Sequence, residues 1–187
     1  MSDTQRTIQA LQAILADNTT GDISPQDVRD FLVSVSPSRG GYTLDPGETP
    51  GETVIAETGQ WVKIAGDTLE NDGIAMRFWS KSGENELRYT GQETQAINVF
   101  GMVSLAPGEG NTEYSVTVAH NDTPFERFAA SQAFAGPQSG NALETVAVMA
   151  ALVVEPEDTV SLWIRRDAGD GNPTVTAMSL TVTGFIR

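Results

Sequence analysis

One histidine, a scatter of loop carboxylates and three tryptophans are the residues of this 187-residue chain from which chemistry could be built. His120 lies in AHNDTP with Asp122 two residues on. An imidazole beside a carboxylate is two thirds of a hydrolytic triad, but a serine must then be brought to it by the fold. No G-x-S-x-G elbow is present. Cysteine is absent, which excludes disulfides, thiolate zinc sites and cysteine nucleophiles, and a lone histidine excludes multi-histidine metal centres. GEGNTE at 108–113 lacks the third glycine of a dinucleotide cradle and has no helical pattern after it, and there is no G-x-x-x-x-G-K-[ST]. We therefore expect no catalytic residue and no cofactor.

The loop acids point the same way. Asp167, Asp170 and Asn172 in DAGDGNP carry oxygens that suit calcium, but their spacing is not that of an EF-hand loop, and a solvated turn without metal is expected. Glu155 and Asp158 would do glycoside chemistry only across a groove of defined width. Trp61, Trp79 and Trp163 raise the possibility of sugar stacking. In DTVSLWI, Trp163 sits on the face opposite Val160, Leu162 and Ile164, so it meets a second sheet, another subunit, solvent or a host-surface glycan. Asn121-Asp122-Thr123 matches a glycosylation acceptor, which matters only in a secreted chain. The start, MSDTQRTIQA, has neither the basic residues nor the apolar stretch of a secretory signal.

With 25 acidic against 11 basic residues the net charge is −14, a field that repels polyanions, so nucleic acid is not an expected partner. The longest apolar run, VAVMAALVV at 146–154, is about half of a membrane-spanning helix, and no membrane is expected either.

Two helices and then only strands must position these residues. Ile8, Leu11, Ile14 and Leu15 recur at helical spacing; Asn18 to Gly21 break the pattern. Ser24-Pro25-Gln26-Asp27 then supplies an N-cap, a proline at the first helical position and an acid three residues after the cap. Val28, Phe31, Leu32 and Val35 carry the second apolar face. Each helix has about three turns and is marginal alone in water, so its apolar face needs a cover. That cover is the other helix, one end of the strand-rich region, or another protein. Residues 36–51, SPSRGGYTLDPGETPG, read as a linker with one short extended piece at GYTL.

From residue 52 the period is two: Ile97, Val99, Val103 and Leu105; Tyr114, Val116 and Val118; Val160, Leu162 and Ile164; Met178, Leu180 and Val182. Gly101 marks a bulge or a close backbone approach. Turn-forming clusters separate the strands: ENDG, KSGENE, APGEGN, HNDTP, AGPQSGN, EPED and DAGDGNP. Such a succession argues for an antiparallel sandwich or barrel. The run at 146–154 does not alternate and is expected to be buried on both faces, the second cover coming from a neighbouring subunit.

Three pieces carry a resemblance to the jelly-roll domain of the C1q and tumour-necrosis-factor superfamily: AINVFGMVSLAPGE, YSVTVAHNDTP, and LVVEPEDTVSLWIRRDAG followed by MSLTVTGFI. The resemblance implies a mainly β, antiparallel jelly-roll sandwich over residues 52–187 that assembles as a homotrimer. A second resemblance lies in Asn18, Thr19, Gly21, Ile23, Ser24, Gln26, Arg29 and Asp30, which look like the helix–turn–helix segment at the start of many tailed-bacteriophage virion proteins. Together they imply a non-enzymatic virion protein with three parts. These are a helical attachment segment at 1–36, a linker at 37–51 and the displayed jelly roll at 52–187. Ile8, Leu11, Ile14, Leu15, Val28, Phe31 and Leu32 would dock on the major capsid protein or another virion protein. A capsid decoration or head fibre is favoured by the lack of a long repetitive shaft; a tail-fibre tip or a free-standing carbohydrate-binding module is the alternative.

Overall fold

The computed structural model describes residues 6, 8–15, 23–44, 51–70, 76–125, 132–135 and 143–185; within it the side chains of 8, 9, 14, 15, 33, 70 and 132–135 are not described. Among the described residues two helices, α1 (Ile8–Leu15) and α2 (Pro25–Ser34), precede twelve strands. The strands are β1 (Arg39–Leu44), β2 (Trp61–Lys63), β3 (Thr68–Glu70), β4 (Trp79–Gly83), β5 (Glu86–Tyr89) and β6 (Gln95–Ala106). They continue with β7 (Glu113–His120), β8 (Thr123–Pro124), β9 (Gln132–Ala135), β10 (Glu144–Val154), β11 (Thr159–Ala168) and β12 (Thr174–Gly184). The expected turns ENDG and AGPQSGN lie almost wholly outside the described residues.

α2 starts as its sequence predicts. The Asp27 backbone N–H donates to Ser24 Oγ at 3.2 Å, and the Ser24 backbone N–H donates back to Asp27 Oδ2 at 3.0 Å, the reciprocal pair that satisfies amides at a helix start. The Ser24 hydroxyl, donating to Asp27 Oδ2 at 2.7 Å, and the Ser24 backbone N–H favour the charged form and, against desolvation, hold the Asp27 carboxyl below its ordinary range.

The strands form two antiparallel sheets. One has five strands in the order β10-β6-β12-β1-β3; the other has β4-β5-β11-β7-β8, with β2 on β11 and β9 on β7. The core lies between them and is built from the alternating positions read in the sequence: Ile97, Val99, Val103, Leu105, Tyr114, Val116, Val118, Val160, Leu162, Ile164, Met178, Leu180 and Val182 are all buried. Each such side chain contributes roughly 1.5–3 kcal/mol of burial. The buried parity changes near the start of β12, where Val175 and Met178 both point inward. The register shifts there between Val175 and Ala177, a bulge that re-aims the strand.

One expectation is corrected. The segment read as a linker supplies a strand of the five-stranded sheet: β1 pairs with β12 through Arg39↔Thr183 to Thr43↔Ser179 and with β3 through Tyr42↔Glu70. The sandwich therefore begins at Arg39, not at 52. Its glycine is there for contact, since a Cβ on Gly40 would lie 2.6 Å from Trp79 Cβ. Within one protomer the run at 146–154 is buried on its core face alone. β10 is the end strand of its sheet, and Val146, Val148, Ala150, Leu152 and Val154 face the core while Ala147, Met149, Ala151 and Val153 are exposed. At Gly101 the ladder runs without interruption on both sides, so of the two expected roles it has the close approach: an added Cβ would lie 2.5 Å from Leu162 Cδ2 of the facing sheet.

Where β2 and β5 share one edge of β11, a gap opens at Leu162, because β5 pairs with Thr159–Ser161 and β2 with Trp163–Arg165. Asn85, in the turn before β5 and with a left-handed φ of 50°, fills it. Its Nδ2 donates to the carbonyls of Leu162 (2.7 Å) and Ile64 (3.1 Å), and its Oδ1 accepts from the Leu162 amide (3.3 Å) and from the Tyr42 hydroxyl of the other sheet. Asn85 and Tyr42 are both fully buried, and burial pushes the Tyr42 phenol well above its ordinary pKa.

Candidate functional site

The outward face of the five-stranded sheet has a composition unlike the rest of the chain. Across the strands its rows read Met149–Phe100–Thr181–Gly41, Ala147–Met102–Ser179–Thr43 and Ala151–Asn98–Thr183–Arg39. Among the described residues of β1, β6, β10 and β12, Arg39 at one corner is the sole charged side chain on this face, although the chain carries 36 charged residues (25 acidic plus 11 basic). Phe100 (57%), Met102 (44%), Met149 (45%) and Val153 (52%) are exposed there. The large apolar side chains stand on β10 and β6, and small or hydroxyl residues on β12 and β1. Depletion of charge with enrichment of aromatic residues and methionine is the composition of an interface centre.

α2 is amphipathic in the inverted sense. Among the described side chains of α2 the buried one is Asp30, 2% exposed, whereas Val28 (48%), Phe31 (37%) and Leu32 (57%) face outward. Asp30 accepts from Arg6 Nε at 2.6 Å and from Gln26 Nε2 at 2.7 Å, and α1 packs on α2. Gln26 Oε1 accepts in turn from Arg29 at 2.9 Å, so three residues of the phage-like motif form one polar clasp. Of the expected docking residues, Leu11 is buried outside the sandwich core and so does not belong to a free face. Val28, Phe31 and Leu32 make one exposed stripe, and the side chains of Ile8, Ile14 and Leu15 lie outside the described residues, as do Asn18, Thr19 and Gly21 of the motif.

His120 does not pair with Asp122. Its Nε2 lies 2.8 Å from Asp158 Oδ2, 38 residues away, while Asp122 lies 3.0 Å from Lys63. Asn121 and Asp122 both adopt left-handed φ (49° and 56°), the tight hairpin turn that throws Asp122 to the far side. Asp158 also accepts from Asn121 Nδ2 at 2.6 Å and from the Glu155 amide at 2.8 Å, and Asn121 Oδ1 accepts from the Thr159 amide at 2.8 Å. These bonds tie the β7–β8 turn to the β10–β11 turn. A cleft of about 330 Å³ opens beside them, lined by His120, Asn121, Thr123, Pro124 and Phe125.

Partial burial alone would raise the Asp158 pKa, but the bonds from Asn121, the Glu155 amide and His120 outweigh it and hold the carboxyl below its usual range. A depressed carboxylate adds stability above its unfolded pKa of about 3.9, and that stability is lost as pH falls through the folded value. Urea midpoints should therefore drop on acidification below about pH 4, and Asp158→Asn should flatten that part of the profile. An unchanged slope in the variant would show that Asp158 adds nothing.

The tryptophans do not form one platform. Trp79 is buried against Tyr89, with ring centroids 5.2 Å apart. Trp61 lies under the Arg165 guanidinium at 4.7 Å, and Trp163 is half-buried with its Nε1 donating to Ser161 Oγ at 2.9 Å. The oxygens of the DAGDGNP loop are likewise not gathered. Asp167 accepts from Arg165 and Ser115, while Asn172 accepts from the Ile55 amide and donates to Glu52. Among the described residues no group of three His, Asp or Glu side chains converges as a metal site would require.

The sheet order and the comparison with solved structures agree. The structure of Eiger TNF from S. frugiperda superposes with a TM-score of 0.50 over 80% of this chain and 92% of that one, at 11% identity. The fold is a jelly roll of the tumour-necrosis-factor type. Murine APRIL at pH 8.0 is similar over 80% of this jelly-roll chain and 100% of its own, at 10% identity and a TM-score of 0.49. No protein-family model matches the chain, and no curated protein does.

The face on β6 and β10 was only half visible in the sequence. Its signal was there, in that Phe100 and Met102 fall between the core positions of a strand whose other parity already fills the interior.

Proposed function

We propose that this chain is a non-enzymatic structural protein of a tailed-bacteriophage virion, a homotrimeric capsid decoration or head fibre. The observation that carries the reading is the charge-depleted outward face of β10, β6, β12 and β1, apolar on β10 and β6, on a chain of net charge −14. A solvent-facing surface of such a chain would be acidic, and acidic surfaces of neighbouring copies repel; a face cleared of charge lets them meet. Its two unlike halves suit a head-to-tail contact, the bulky β10–β6 half of one copy on the small β12–β1 half of the next, which closes into a ring. The stripe of Val28, Phe31 and Leu32 is left for the virion surface, and the phage-like motif of the same segment, with Ser24, Gln26, Arg29 and Asp30, supports that role.

Light scattering tests the assembly: we expect a mass of three chains, falling to one in Phe100→Asp with an unchanged circular dichroism spectrum. A charge buried without a partner at such a contact weakens association by several orders of magnitude. Gold-labelled antibody on particles from a lysate of the encoding host tests the location. Label on capsids or tails supports the virion reading, and label only on free protein overturns it.

A further inference from the structure

The outward face carries a feature that the trimer reading does not use. Met178 is core, and Met76 Sδ accepts from the Gly41 amide at 3.2 Å. Met102 and Met149 instead stand on the uncharged face, 44% and 45% exposed. They flank Phe100, Met149 directly opposite it on β10 and Met102 two residues along β6. We propose that these two thioethers are an oxidation-sensitive lock on assembly, converted by peroxide in the free protomer to sulfoxides that block trimer formation. The inference rests on the trimer reading above.

In the step, a sulfur lone pair attacks one peroxide oxygen, the O–O bond breaks and an S–O bond forms. Sulfur loses two electrons, the peroxide is reduced, and the departing hydroxide takes the remaining proton to leave as water. The product is a polar, chiral group where a flexible apolar one stood. On this face its new acceptor would be carried into a contact made mainly of methyl, methylene and ring surface. An acceptor buried without a donor weakens association by roughly tenfold or more for each sulfoxide. Because each contact of a ring repeats the pair, the effect is multiplied around the trimer. Assembly in turn shields the sulfurs, so the modification acts on chains that have not yet associated.

The test uses the full chain. Native protein is treated with hydrogen peroxide at low and high protein concentration, sulfoxides are located by peptide mass spectrometry, and the mass is followed by light scattering. The expected result is oxidation at Met102 and Met149, faster at low concentration, with the mass falling from three chains to one. Met102→Leu/Met149→Leu should keep the trimer under the same treatment. Met102→Gln/Met149→Gln, which places permanent polar groups there, should be monomeric without peroxide. A trimer that persists with both sulfurs oxidised, or a trimeric glutamine variant, overturns the lock and leaves the trimer standing. Untreated protein with the mass of one chain overturns the trimer and the lock with it.

Discussion

Replacing Asn85 with alanine is expected to lower the stability of the protein by about 4 kcal/mol, seen as a melting temperature roughly 10 °C lower. The side chain closes a gap that no strand fills. It bonds both the amide and the carbonyl of Leu162 where β5 has ended and β2 has begun, and it receives the Tyr42 hydroxyl from across the core. Alanine leaves the Leu162 amide, the Ile64 carbonyl and the Tyr42 hydroxyl short of a partner in a site without solvent, at roughly 1–3 kcal/mol for each group left unsatisfied, while the Leu162 carbonyl keeps the Ile64 amide. Residue 85 also holds a left-handed backbone, which asparagine tolerates better than most residues. The mechanism is separable from general damage by a double-mutant cycle. Tyr42→Phe should cost about 1 kcal/mol in the native background and close to nothing beside Asn85→Ala, because its acceptor is already gone. Additive losses would show that the hydroxyl and the amide do not act together.

Gly40→Ala is the second large effect, about 3 kcal/mol in urea unfolding. The new methyl carbon would sit 2.6 Å from Trp79 Cβ and 2.9 Å from its Cγ. Those atoms are the root of the side chain, so they do not swing aside as a terminal methyl would. The indole is held further along as well, by Tyr89 and by a 3.2 Å bond from Nε1 to Ser38 Oγ. Either the indole or β1 must shift, and β1 is paired on both sides. Gly83→Ala is the control: nothing lies within 4 Å of an added Cβ there, and the change should be within about 0.5 kcal/mol. Equal losses at the two positions would mean that the indole contact does not set the cost, since chain entropy alone favours alanine.

These two residues also mark where a sequence reading stops. Period-two burial exposes the interior of long strands directly, so Val99, Val116, Leu162 and Leu180 were legible as core. Gly40 and Gly41 were not legible as strand, because a glycine pair flanked by prolines looks the same in a linker and beneath a tryptophan. Only the position of Trp79, nearly forty residues away, separates the two. The outer side of the run at 146–154 is a related case. Alanine, valine, leucine and methionine along the run say that no charge is wanted, but not what lies over the outer side. His120 shows a third limit. Its nearest acid in sequence was the wrong one, since a two-residue turn in left-handed conformation sends neighbours to opposite sides and leaves Asp158 to meet the ring. Asn85 carried no signal at all beyond a turn-forming residue in KSGENE, and its role exists only where three strands from different parts of the chain meet.

The four residues from Val35 to Ser38 join α2 to β1, which pairs along nearly its whole length with β12. If the helices are gripped and the jelly roll is dragged, tension enters the sandwich along the axis of β1. The rungs between β1 and β12 then carry the load side by side, rather than opening one after another as in a peeled hairpin. A chain loaded this way resists in shear rather than by peeling, and β1 is the strand that takes the load first.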